Sequence, residues 1–404
     1  LSFDAAEVHF LVENAQKITA ATADLALNKK TMIADIAALR DTFGEQGRAV
    51  AELAGARRSV AGKLPQEWMM CHDSAQQTTP LAVSAERARR LKVALGNDAL
   101  AHDVTCSIGT EGHAVLDAGL DYLGSDIDLP RLLMAHYNLS LHPGLDGASE
   151  LPKLVQADAL IPATTGADVI IADPARRKNG RRISDPGQLL PPLPSLLDTW
   201  AGLPMAVKCA PGVDFSGWQG LVSLVSVDGG VKEACLYSPQ LADGETREAV
   251  VIRGDHLDRL NDQLDDGGAE SLAREPGEFI IDPDGAIVRA GLVRHYAIRE
   301  DLWMLDDRIA YLTGNWIPAG TSGFRFLEEV PLKKLKSALA AHKAGSVEIL
   351  VRGVDVDPDQ LRKKLQLKGS LPFAVVITRI GSRGVALLCG PREFSSPDAL
   401  LNSN

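Results

Sequence analysis

Four short stretches hold the residues able to do chemistry in this 404-residue chain. The first runs Asp103-Val104-Thr105-Cys106-Ser107-Ile108-Gly109-Thr110-Glu111-Gly112, behind an apolar run and ahead of the helix-like HAVLDAGL. Its small residues, Thr105, Ser107 and Gly109, would let a backbone approach a ligand closely. The second, Gly124-Ser125-Asp126-Ile127-Asp128, sets Asp126 23 residues after Asp103. An acid there can accept from both ribose hydroxyls of an adenosine. The third, Gln156-Ala157-Asp158-Ala159, offers an acceptor to the adenine amino group. In the fourth, ADVIIADPARRKNGRR, an apolar run ends at Asp173-Pro174-Ala175-Arg176, and five basic residues fall between Arg176 and Arg182. Taken singly, each stretch also reads as a turn glycine, a helix-capping Asp or an Asp-Pro turn. Taken in order on successive strand ends, they would gather in one crevice.

The elements expected to position them form an α/β domain. From about Ser84, short apolar runs alternate with helical stretches: AHDVTCSIG, YLGSDID, PKLVQADAL, ADVIIADP, PMAVKCAPG, SLVSVDGG, KEACLYSP and AVVIRG. That rhythm predicts a parallel sheet, and the late runs EACLYSP and REAVVIRG suggest a closing antiparallel hairpin. Residues 1–84 repeat their apolar positions near 3.6 and read as a helical region. A polar connecting segment is expected over 256–320, and a small α+β domain over 321–393. The domain between them spans 85–255.

Composition narrows the function. At 45% hydrophobic residues the chain can bury an ample core, and no apolar run is long enough to span a bilayer. Five scattered cysteines, with no CxxC pair and no partnering His spacing, argue against a zinc site and for a reducing compartment. Cys71-His72 reads as packing. The start, LSFDAAEVHF, lacks signal-peptide features, and a cytoplasmic location is expected. The net charge of −11 hides a gradient: Val330 to Arg392 carries twelve Lys or Arg against four acids, a local +8. This asymmetry points to a polyanionic partner, with a solvated helix face as the plain alternative.

The ordered motifs resemble the class I S-adenosylmethionine-dependent methyltransferases, over residues 85–255. The resemblance implies a Rossmann-like sheet and S-adenosylmethionine as cofactor. It makes Asp103 the acid serving the methionine amino group and Thr105, Ser107 and Gly109 the loop, with one of the usual glycines retained. Asp126, with Asp128 beside it, becomes the ribose acid, and Asp158 the adenine-side acid. GFRFLEEVPLKKLKSALAAHKAGSVEILVRGVDVDPDQLRKKLQLKG, followed by FAVVITRIGSRGVALLCG, is similar to the THUMP-like domain that follows such a methyltransferase in one family. The helix-like entry TTPLAVSAERARRL, Asp173 to Arg177, and Lys208 to Gly212 match the same family.

The resemblance implies a methyltransferase acting on a base in RNA, tRNA or rRNA, with Asp173 meeting the base edge and Pro174 stiffening the loop. Arg176 stands where amino-methylating relatives carry an aromatic, and would stack or hold a phosphate. Arg177, Lys178, Arg181 and Arg182 would form a basic lip, and Lys208 would act by charge. Cys209 occupies the place of the nucleophile in uracil-5 RNA methyltransferases, but reads better as a packing thiol. A degenerate scaffold that binds cofactor and RNA without transfer is the alternative. A nicotinamide enzyme would need G-x-G-x-x-G, which is absent, and a small-molecule methyltransferase leaves the +8 segment without a use.

Overall fold

The computed structural model describes residues 3–28, 30–145, 151–175, 177–178, 181–182 and 186–396. The chain divides into two compact units, residues 1–222 with 233–244 and residues 223–232 with 245–404.

The first unit opens with helices α1 (Ala5–Glu13), α2 (Ala15–Thr22), α3 (Met32–Phe43), α4 (Gly47–Ser59), α5 (His72–Gln77) and α6 (Leu81–Leu95). Asp4 and Glu7 close a capping box at the start of α1, each side chain accepting from the other's backbone N–H. The apolar positions bury Leu53, Trp68, Met69 and Met70 in one cluster, which Ile108 and Met134 join from beyond α6. Asn138 locks this joint: its amide donates to Met69 O and Ile108 O, and its Oδ1 accepts from Met69 N. The buried face of α6 is Val83, Ser84, Arg87, Ala88 and Leu91, a helical spacing with a charge in its middle.

Beyond α6 come β1 (Leu100–Asp103), α7 (Thr110–Asp117), β2 (Asp121–Asp126), α8 (Leu129–Ser140), β3 (Lys153–Gln156), β4 (Val169–Ala172), α9 (Leu193–Thr199), β5 (Met205–Cys209), β6 (Leu221–Val227) and β7 (Gly230–Tyr237). Their order across the sheet is β3-β2-β1-β4-β5-β7-β6. Strands β1 to β5 pair in parallel, and β7 runs antiparallel to β5 with Ala206 opposite Tyr237. The order reverses between β1 and β4, where Asp103 lies opposite Ile171, so a crevice opens at the carboxyl ends of these strands.

The expected pairing of EACLYSP with REAVVIRG does not form. Strand β7 turns back on β6, through Asp228 and Gly229 at φ of 50° and 76°. Two successive left-handed residues make a tight hairpin turn, and Asp-Gly between apolar runs is its sequence signal. REAVVIRG becomes β8 (Arg247–Arg253), which pairs instead with β9 (His256–Asn261).

The second unit also holds β10 (Phe279–Ile281), α10 (Gly285–Ala290), α11 (Val293–Arg299), β11 (Trp303–Asp306), β12 (Ile309–Gly314), β13 (Ser322–Val330), α12 (Leu335–Ala341), β14 (Ala344–Val351), α13 (Pro358–Leu365), β15 (Leu371–Ile380) and β16 (Arg383–Phe394). Seven strands form one sheet in the order β11-β12-β10-β13-β16-β15-β14. Residues 279–314, read from sequence as a connecting segment, thus supply three strands to the same sheet as 322–394. Alternation sends Val375, Ile377, Ala386 and Leu388 into a core with α12 and α13, while Ala374, Val376, Leu387 and Cys389 pack with Phe324 and Tyr311 on the other face. Asp357 of the VDVDP stretch caps α13, its carboxylate accepting from Asp359 N and Gln360 N.

Candidate active site

The loop after β1 is pinned on both sides. Val104 N donates to Ile171 O of β4, and Cys106 N to Ser125 O of β2, each at 2.9 Å. Just beyond these ties the backbone turns through Ser107 at φ 49° and Gly109 at φ 88°. Ser107 therefore adopts the left-handed conformation that glycine takes easily, at a cost of about 1 kcal/mol. The Gly109 position serves packing: a Cβ there would meet Leu139 Cγ at 3.2 Å and Ala135 Cβ at 3.4 Å.

Three of the acids expected at strand ends meet this loop. Asp126 accepts from Ser107 N through Oδ2 and from Asp128 N through Oδ1, both at 2.9 Å, so its carboxylate is oriented by backbone. Asp103 accepts from Thr105 N at 3.1 Å and from the Tyr122 hydroxyl at 3.4 Å. Asp173 N donates to Thr105 Oγ1 at 2.6 Å, which ties the end of β4 to the loop. Asp128 caps α8, accepting from Arg131 N. Asp158 is exposed at the end of β3 and accepts from Leu160 N. Pro174 is buried, and Ala175 bridges to Leu190. Arg176 lies outside the described residues, as do the side chains of Arg177, Lys178, Arg181 and Arg182; the backbone of the last four forms a short antiparallel ladder.

Behind Asp173 the site is built of charge. Lys208 Nζ lies 2.7 Å from Asp173 Oδ2 and 3.4 Å from Glu111 Oε1. Arg87 grips Glu111 with Nε at 3.0 Å and Nη2 at 3.2 Å, and reaches Glu233 at 2.7 Å. The Arg87 side chain is 1% exposed, against 27% for Asp173. Arg87, Glu111 and Glu233 were not singled out from sequence. The one mark in the sequence was the Arg87 charge on the apolar face of α6, and periodicity cannot say whether such a charge finds partners.

Burial alone would depress Lys208 and raise Glu111. The Asp173 and Glu111 charges hold Lys208 well above its ordinary value, while Arg87 and then Lys208 pull Glu111 below its own. Asp103 behaves differently: burial, reinforced by the Glu111 charge, pushes it up to about 7. Cys209 is completely buried within β5, opposite Ala234, as a packing thiol would be. Among the described residues no three His, Cys, Asp or Glu side chains group to hold a metal, and no helix is long and apolar enough to cross a membrane.

The parallel order β3-β2-β1-β4-β5 with antiparallel β7 beside it, and a pinned loop at the switch point, define a class I methyltransferase architecture. A family described as THUMP domain-like matches residues 321–391. An uncharacterized S-adenosylmethionine-dependent methyltransferase of Mycobacterium tuberculosis, found in strains CDC 1551 and H37Rv, is 42% identical over 372 residues, 87% of this chain and 99% of its own. A crystal structure from Porphyromonas gingivalis W83, described provisionally as a methyltransferase, shares the fold with a TM-score of 0.69 at 17% identity, over 96% of this chain and 99% of that one. The chain belongs to the family of S-adenosylmethionine-dependent methyltransferases that carry a C-terminal THUMP-like domain. Its crevice suits that cofactor chemically. Asp103, Asp126 and Asp158 are all acceptors, and S-adenosylmethionine carries donors spaced along its length for them: an ammonium, two ribose hydroxyls and an exocyclic amine.

Proposed function

We propose that this protein methylates a base in RNA, tRNA or rRNA, with the THUMP-like domain binding the nucleic acid. The observation that carries the reading is the double tether of Asp173: its backbone on Thr105 of the cofactor loop, its carboxylate on Lys208. When bound, the cofactor supplies a methyl group already activated on a sulfonium, so positioning and electrostatics are what remains for the protein. Asp126 would hold the ribose, Asp158 the adenine amine and Asp103 the ammonium, with Asp128 beside the ribose acid.

Asp173, paired with Lys208, is an acceptor for an N–H on the edge of the target base and orients that edge. Pro174 stiffens the turn, and Arg176 would stack on the base or hold a phosphate. The complete burial of Cys209 weighs against covalent addition to a uracil ring.

The RNA half of the reading draws on the helical layer of the second unit. Lys333, Lys334, Lys336, Lys343, Lys363, Lys364 and Lys368 are all exposed there, and Lys336 Nζ donates to Lys364 O at 3.4 Å, joining the two helical stretches that carry them. Flexible ammonium groups on one layer suit a phosphate backbone. The alternative, a scaffold without activity, leaned on the thinned glycine loop. Ser107 nevertheless takes the left-handed φ the turn requires, which supports cofactor binding on either reading, and the pairing of Asp173 with Lys208 favours the enzyme.

Mass spectrometry of nucleosides from total tRNA and rRNA, with and without the gene, tests the function. One methylated nucleoside should disappear on deletion and return on complementation. Identical nucleoside profiles would falsify the RNA assignment.

A further inference from the structure

Helix α6 precedes the sheet, yet its buried face reaches the site. We propose that Arg87 is a positioning residue that sets the place of the Asp173 carboxylate, acting through Glu111 and Lys208. The proposal rests on the reading above that Asp173 meets the acceptor.

The argument is one of competition for a single ammonium. Lys208 lies between two carboxylates, and its contacts are unequal: 2.7 Å to Asp173 Oδ2 and 3.4 Å to Glu111 Oε1. The first is a close ion-pair contact and the second a distinctly longer one. Both carboxylates are acidic acceptors, and Glu111 is the more deeply buried of the two. In a dry site it would be expected to draw the cation harder. What prevents this is the fork of Arg87, which occupies both Glu111 oxygens at 3.0 and 3.2 Å, with Ser84 Oγ adding a third contact at 3.3 Å. Glu111 is satisfied from the α6 side, so Lys208 gives its short bond to Asp173.

Arg87 is itself held from behind. Its Nη2 reaches Glu233 at 2.7 Å, and Glu233 accepts from Thr79 Oγ1 at 3.2 Å. Thr79, Ser84 and Arg87 all belong to the stretch TTPLAVSAERARRL, so this entry segment supplies three contacts to one charge chain. A lysine at 87 would keep the charge but not the fork, since an ammonium is a point donor and a guanidinium a planar pair.

The test reads Lys208 directly and needs no acceptor RNA. The full-length protein, labelled with 15N at lysine Nζ, is followed by NMR, with the Lys208 signal assigned by its loss in Lys208→Met. Asp173→Asn should move that signal, and Arg87→Met should move it and shrink its further response to Asp173→Asn at least twofold. Arg87→Lys should fall between native and Arg87→Met. A folded Arg87→Met protein whose Lys208 signal and response to Asp173→Asn match the native ones overturns the proposal. If Arg87→Met does not fold, Glu111→Gln serves: an unmoved Lys208 signal there overturns it equally. In gene-deletion cells, Arg87→Lys should lower methylation more than Arg87→Met lowers cofactor affinity. If the Lys208 coupling appears while Asp173→Asn methylates at the native rate, the chain stands and the acceptor role of Asp173 falls.

Discussion

The two units of this protein use charge in opposite ways. In the first, Arg87, Glu111, Glu233 and Lys208 are buried within hydrogen-bond or ion-pair reach of named partners, and Asp173 is the member with appreciable exposure. In the second, seven lysines of the α12 and α13 layer are all exposed. Buried charges are costly to strip of water and are kept only where every partner is in place, so they hold geometry. Exposed lysines add little to the geometry, but each adds a salt-sensitive increment of attraction to a polyanion. On the proposed function, placement of the reacting group would fall to the first region and capture of a long substrate to the second.

The sharpest way to break this comparison is to neutralise the exposed layer in the full chain. Replacing Lys333, Lys334, Lys336, Lys363 and Lys364 by Gln should weaken RNA binding on the order of 10³-fold near 0.1 M salt and flatten the log–log salt slope by about 3 to 4. Cofactor affinity should stay put. Filter binding over a salt series checks both, and an unchanged slope would take the lysine layer out of the RNA interface.

Next in size is Asp173→Ala. If Asp173 positions the acceptor as proposed, turnover should fall by something on the order of 10²-fold, with cofactor affinity within about twofold of native. Nucleoside analysis after complementation and calorimetry separate the two effects. Full modification by this variant would reduce Asp173-Pro174 to a turn.

Asp126→Ala should reverse that pattern, costing about 2 kcal/mol of cofactor binding, roughly 30-fold. Calorimetry with S-adenosylhomocysteine measures it, and native affinity would remove the ribose assignment.

The smallest effect concerns pH. Asp103 is raised to about 7 from an ordinary 3.8, so the folded state holds its proton more tightly than the unfolded chain. Its stabilising contribution is complete below about pH 4 and lost as pH rises through 7. Asp103→Asn should therefore melt increasingly above the native protein between pH 5 and pH 8. The gap should be a few degrees, within a ceiling of about 3 kcal/mol over that range. Parallel melting curves at the two pH values would show that Asp103 does not titrate there.

The amino-acid sequence by itself determined the order of elements and which side chains stand at strand ends. Asp103, Thr105, Ser107, Asp126 and Asp173 were legible because they stand at or just beyond strand ends, and a strand delivers those residues to the sheet edge whatever the rest of the chain does. The alternation of short apolar runs with helical stretches made the sheet legible for the same local reason. What required the tertiary structure was the choice of partner. The β6–β7 hairpin in place of EACLYSP with REAVVIRG was decided by two left-handed turn residues, a signal outweighed in reading by the stronger apolar runs. The three strands drawn from residues 279–314 are short, and a three-residue strand such as Phe279–Ile281 is defined by its neighbours on both sides. The charge chain is the clearest case. A buried Arg on a helix face is unfavourable in isolation, and only the fold brings Glu111 and Glu233, 24 and 146 residues away, within reach of its guanidinium. Local spacing governs where a side chain points, and pairing at long range governs what its charge is worth.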